Sequence, residues 1–315
     1  MTPTSSPGRI DILNGVPIYF EVHESGEHGQ RRAGKGKSRS LAALGKTKEG
    51  GGSGEPLLLL HGFSGCSQDW SALIKMRREP GGCEFQLIIP DMRVHGRSFA
   101  SREDRSANTK TTQPRSASSG QAGLAVPREF SPWRHDESAA DMYALLDHLG
   151  IKTFKGLGVS GGGNVLLHMA TKQPERVKAM VLVSATSYFP AQARQIMRAY
   201  ADNLPAAERE NLRRRHRSGD AQINALLAST KAFADSYDDM NFTPPYLARI
   251  TARTLMVQGD RDPLYPVEIS VEMAKAIPRS SLWIMPDAGH GPVLGRTLDG
   301  VSENGGRVST RLRMG

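Results

Sequence analysis

Five residues constrain this chain more than any others: Gly158-Val159-Ser160-Gly161-Gly162. They join a strand-like run, Phe154 to Val159, directly to a helix-like one, Gly161 to Thr171. A turn that tight is possible only where the two glycine positions of this G-x-S-x-G run carry no side chain to strike neighbouring backbone. It lifts the Ser160 hydroxyl above a sheet, with the free N–H groups of a helix N-terminus behind it. A second reading overlaps the first. Gly156-Leu157-Gly158-Val159-Ser160-Gly161 also fits the G-x-G-x-x-G of a dinucleotide site. Such a site wants a carboxylate about 20 positions on, at the end of the next strand. Residues 181–188 read Val-Leu-Val-Ser-Ala-Thr-Ser-Tyr and hold none.

The pattern around this turn alternates strand and helix. Arg9 to His23 reads as two strands about an Asn14-Gly15 hairpin. Leu57–Leu60, Phe85–Ile89, Val177–Val183, Thr254–Val257 and Leu282–Met285 read as short strands, most of them buried on both faces. Ser67–Met76, Asp136–Leu149 and Val267–Ala276 read as helices, with Gly150 placed to cap the second. This order predicts an α/β fold with a mostly parallel sheet flanked by helices. Residues 187–247 interrupt it with several short helices and no strand, which predicts a helical lid over the strand ends. Met197, Leu204, Leu226, Leu227 and Phe233 are its candidate pocket-lining side chains. The expected division is therefore a core of residues 1–186 and 248–315 and a lid of 187–247. Two stretches, about 25–54 and 101–127, are too polar and Gly/Ser-rich to bury a face and read as disordered insertions.

A serine hydroxyl needs a base to take its proton and a third group to hold the base. Gly259-Asp260-Arg261-Asp262-Pro263 follows one late strand and Asp287-Ala288-Gly289-His290-Gly291-Pro292 follows the next. Ser160, an aspartate and His290 thus occur in the chain order expected of a nucleophile-elbow enzyme. With these residues the sequence resembles the α/β-hydrolase superfamily from about residue 9 to 293. It also has His61-Gly62-Phe63 after the first buried strand, and Asp91-Met92-Arg93-Val94-His95-Gly96-Arg97-Ser98, similar to the family's D-x-R-G-H-G-x-S turn. The resemblance implies Asp262 rather than Asp260 as the acid. It implies the backbone N–H groups of Phe63 and Gly161 as the oxyanion hole, and no metal or organic cofactor. It also implies a closing helix after the histidine loop, where Arg296–Gly315 shows no amphipathic period.

Composition narrows the partners. The net charge is +9, and three segments (25–54, 101–127 and 291–315) account for all of it with +5, +2 and +2. These are the least structured parts by composition, not a basic folded face with aromatics beside it, so a nucleic-acid partner is not expected. No apolar run approaches the ~20 residues of a membrane span, and the N-terminus has no apolar signal region. Cys66 and Cys83 form no disulfide framework, so a soluble cytoplasmic protein is the expectation. A serine at the elbow, in place of a carboxylate, points to acyl chemistry on a small-molecule ester or lactone. A carbon–carbon bond hydrolase or haloperoxidase-like enzyme on the same triad, and a non-catalytic ligand-binding protein of the same fold, are the alternatives.

Overall fold

The computed structural model describes residues 8–24, 54–77, 85–99 and 132–292. The two expected insertions and the tail after His290 lie almost entirely outside them. Eight strands form one sheet: β1 (Arg9–Leu13), β2 (Val16–His23), β3 (Pro56–Leu60), β4 (Gln86–Pro90), β5 (Phe154–Val159), β6 (Val177–Val183), β7 (Arg253–Gly259) and β8 (Ser280–Met285). Their spatial order is β1-β2-β4-β3-β5-β6-β7-β8. The first two pairings are antiparallel and every later one is parallel. The hairpin between β1 and β2 turns at Asn14 and Gly15, both with positive φ (52° and 78°), as a two-residue hairpin of this hand requires.

The central strands are apolar on both faces because both faces are covered. Leu58, Leu59, Leu60, Ile88 and Ile89 are fully buried, each contributing about 1.5–3 kcal/mol of hydrophobic stabilisation. One face packs on α2 (His135–His148), α3 (Gly161–Lys172) and α8 (Val267–Ala276) and carries the larger core. The other packs on a 3₁₀ turn (Ser67–Trp70) that runs into α1 (Ser71–Arg77), where a single helix was expected. On that face the coverage fades toward β8. Leu157, Val181 and Leu255 are half-buried, and Trp283 is 53% exposed. α2 ends as the sequence predicts, with Gly150 at φ +71° and its N–H donating to Asp147 O.

Between β6 and β7 the chain forms α4 (Ala191–Asp202), α5 (Ala206–Arg215), α6 (Gly219–Asp235) and the short α7 (Pro244–Leu247). The expected strand-free segment 187–247 is thus helical, apart from one isolated bridge between Tyr188 and Asn241. Buried polar contacts bind it to the core. His216 Nδ1 accepts from Gly96 N–H at 2.9 Å, and Gln222 Nε2 donates to Val94 O (2.8 Å) and Gly96 O (3.1 Å). Ser229 Oγ accepts from Trp133 N–H at 2.7 Å. No helix among the described residues is long and apolar enough to cross a membrane.

Candidate active site

The Asp91–Ser98 turn is hydrogen-bonded to the loop after β3. Asp91 Oδ1 accepts from Ser67 N–H and Oδ2 from Arg97 N–H. His61 donates from Nδ1 to Gly62 O (2.8 Å) and accepts at Nε2 from Met92 N–H (3.0 Å), which fixes its tautomer. Phe63 follows on a turn whose next residue, Ser64, has φ 61°.

Ser160 occupies the junction of β5 and α3 at φ 50°, ψ −118°, a region that side chains avoid. Its N–H donates to Val183 O at 2.7 Å. The flanking glycines are needed here. A Cβ on Gly158 would strike the backbone of Gly162, and one on Gly162 would strike the Leu60 carbonyl. The point where a Cβ would sit on Gly161 lies 3.3 Å from Phe63 N. The Phe63 and Gly161 backbones, from loops about 100 residues apart in sequence, therefore meet beside Ser160.

Asp262 and His290 are brought together and Asp260 is not. His290 Nδ1 lies 2.7 Å from Asp262 Oδ2, and the Asp262 side chain is fully buried. That carboxylate also accepts from Gln258 Nε2 (2.9 Å), Leu264 N–H (2.8 Å) and Tyr265 N–H (3.1 Å). Burial alone would raise its pKa, but the hydrogen bond and charge of His290, and the two backbone N–H groups, hold it below the usual carboxylate range. Asp260 is exposed and accepts only from Ala288 N–H among the described residues. The histidine loop is seated by Gly291 N–H donating to Ser184 Oγ at 2.9 Å. Val183 and Ser184, adjacent at the end of β6, thus hold Ser160 and the His290 loop side by side.

Similar proteins are found at three levels: family models, sequence relatives and solved structures. A family model described as "alpha/beta hydrolase fold" matches residues 55–218, just over half the chain, and one described as "TAP-like protein" matches 239–303. The chain belongs to the α/β-hydrolase fold family. It is 25% identical to Lipase 1 of Psychrobacter immobilis over 310 residues, 85% of this chain and 82% of that one. Among solved structures, a thermophilic esterase from Thermogutta terrifontis matches with TM-score 0.58 at 20% identity, over 92% of this chain and 93% of that one. An enol-lactonase from Burkholderia xenovorans matches with TM-score 0.58 at 15% identity, over 92% and 94%.

Sequence reasoning missed two residues at this α/β-hydrolase site. Tyr265 is buried, with its ring edge-on to His290 at 5.4 Å. Burial and the Asp262 charge push its phenol up, against hydrogen bonding to Asn164 and Ser160. His135 opens α2 and pairs with Asp239 from the far end of the helical segment. Tyr265 stands three residues after Asp262, a spacing that could have signalled it. His135 gave only a Trp-x-His at a helix start, since Asp239 is 104 residues away. Of the five candidate lining residues, Phe233 packs against Phe63 (6.1 Å between ring centroids), Trp133 (5.3 Å) and His135 (4.8 Å). Leu226 and Met197 join the main core, and Leu204 and Leu227 are half-buried.

Proposed function

We propose that this protein is a serine hydrolase that cleaves a carboxylic ester or lactone through an acyl-enzyme on Ser160. The observation that carries the reading is the strained Ser160 turn, set by neighbouring residues of one strand end beside His290, whose partner Asp262 is buried. Asp262 takes the Nδ1–H of His290, which leaves Nε2 as the basic atom. In the proposed reaction that nitrogen accepts the Ser160 proton as Oγ attacks the carbonyl carbon. The oxyanion is held by the N–H groups of Phe63 and Gly161. Collapse expels the alcohol, which takes the proton back from His290, and water then repeats the sequence on the acyl-enzyme. The lipase and esterase relatives support ester chemistry. Residues 187–247 serve as the lid, with Phe233 lining the acyl pocket against Phe63 and Trp133.

The test is labelling by a fluorophosphonate, followed by turnover of esters and lactones of graded size. Wild-type protein should label and turn over, and Ser160→Ala should do neither while keeping its Tm within a few degrees. Undiminished labelling of Ser160→Ala refutes the assignment.

A further inference from the structure

The second histidine–carboxylate pair has its own geometry. His135 is 2% exposed, and its Nδ1 lies 2.7 Å from Asp239 Oδ2. The same carboxylate, fully buried, caps α2 by accepting the backbone N–H groups of His135 (3.1 Å) and Asp136 (3.3 Å). Burial works to raise the Asp239 carboxyl, but His135 and then His168 beside it hold it well below the usual range. In its neutral form, with Nδ1 donating to that carboxylate, the ring presents Nε2 as an acceptor.

That nitrogen points at the proposed catalytic centre. The Cβ position of Gly161 lies 3.6 Å from His135 Nε2, 3.3 Å from Phe63 N and 3.1 Å from the tip of the Trp133 ring. Trp133 (4.5 Å), Phe233 (4.8 Å) and Phe189 (5.9 Å) surround the imidazole. Among the described residues, the hydrogen bond of the imidazole is made at Nδ1, to Asp239, and none is made at Nε2. Capping of α2 does not account for the imidazole either, because the backbone N–H groups that Asp239 receives would be present with any non-proline residue at 135. The ring therefore offers an acceptor beside the oxyanion hole, in an aromatic enclosure.

We infer that His135, oriented by Asp239, is a specificity-determining residue that accepts a hydrogen bond from a hydroxyl on the α- or β-carbon of the acyl group, so that 2- or 3-hydroxyacyl esters are the favoured substrates. The inference rests on the Ser160 hydrolase reading. The hydroxyl must be near the carbonyl because Phe63 N–H, which holds the carbonyl oxygen, and His135 Nε2 flank the same point. A carboxylate in that place would face the Asp239 charge through the ring. Arg134, the cation beside the pair, is engaged by Asp136 and Asp238.

The experiment compares ethyl butyrate, ethyl 2-hydroxybutyrate and ethyl 3-hydroxybutyrate by pH-stat titration. Wild-type protein should favour at least one hydroxy ester over ethyl butyrate by about tenfold in kcat/KM, the scale of one buried hydrogen bond. That ratio should fall to about one in His135→Phe and recover in part in His135→Gln, which keeps an acceptor. Binding of the same esters to Ser160→Ala, followed by tryptophan fluorescence, should show the same preference without turnover. An equal ratio in wild type and His135→Phe, or equal binding of hydroxy and plain esters by Ser160→Ala, overturns the inference. Preferential binding of a hydroxy ester with no wild-type turnover of any ester supports the His135 site and refutes the hydrolase reading instead.

Discussion

Two aspartates stand two residues apart in one loop, and their surroundings separate them. Asp262 has four hydrogen-bond donors around a buried carboxylate, one of them His290, while Asp260 faces solvent. Asp262→Asn removes the charge that orients the imidazole and should lower kcat by about three to four orders of magnitude. Asp260→Asn should change kcat by less than tenfold. Steady-state kinetics on one activated ester decides between them, and a larger loss in Asp260→Asn reverses the assignment. At this scale the sequence was legible where chemistry coincides with a turn. Ser160 lies in a Gly-x-Ser-x-Gly run and His290 between two glycines, at strand ends that the apolar runs had already located. His135 and Asp239 were not legible because neither lies in such a turn. Their meeting depends on how the last turn of α6 and the loop after it settle against α2, which is tertiary packing and leaves no local pattern.

At the scale of elements, the helices of 187–247 are tied to one another and to the core by buried polar contacts. Arg194 on α4 is buried and donates to the carbonyls of Phe189, Phe233, Ala234 and Ser236, which ties α4 to the end of α6. His216 and Gln222 tie α5 and α6 to the Val94–Gly96 turn. Phe233 is therefore held in place against the rings beside Ser160. Phe233→Ala should open the proposed acyl pocket and shift the preference toward longer chains. The change should be graded, because each methylene is worth only about 1–3 kcal/mol in such a pocket. A series of esters from acetate to octanoate measures it, and an unchanged chain-length profile removes Phe233 from the pocket. The sequence placed these helices correctly as a group. It did not show which of their apolar residues face the site, since Leu226 and Phe233 are buried alike in one core and only packing sets the Phe233 ring against Phe63 and Trp133.

Over the whole molecule, burial disfavours the charged form of four histidines. Desolvation lowers the pKa of His61 and His95, that of His168 to about 4 and that of His216 to about 3. His61 and His216 depress His95 further. Each folded value lies below the ordinary one of about 6.5. Between those values the unfolded chain binds protons that the folded chain refuses, so stability falls as pH falls, by up to about 1.4 kcal/mol per pH unit for each histidine. Tm measured from about pH 8 down to about pH 4.5 should hold level and then drop steeply below about pH 6.5. His216→Asn, which keeps an acceptor for Gly96 N–H, should flatten the drop. A flat Tm across this range would mean that these rings take up protons in the folded state.

The strand order has a further consequence. Residues up to 99 supply β1, β2, β4 and β3, one contiguous half of the sheet, and residues from 132 onward supply β5 to β8, the other half. The halves meet along a single parallel seam, Leu57 to Leu60 against Lys155 to Gly158. Ser160, Asp262 and His290 all belong to the second half, and Phe63 to the first. Two polypeptides divided near residue 115 would each hold half a sheet with one raw edge, and neither would hold both backbone N–H groups of the proposed oxyanion site. Co-expressed, they should find each other along that seam and restore esterase activity that neither fragment has alone, which makes the protein a candidate reporter for fragment complementation.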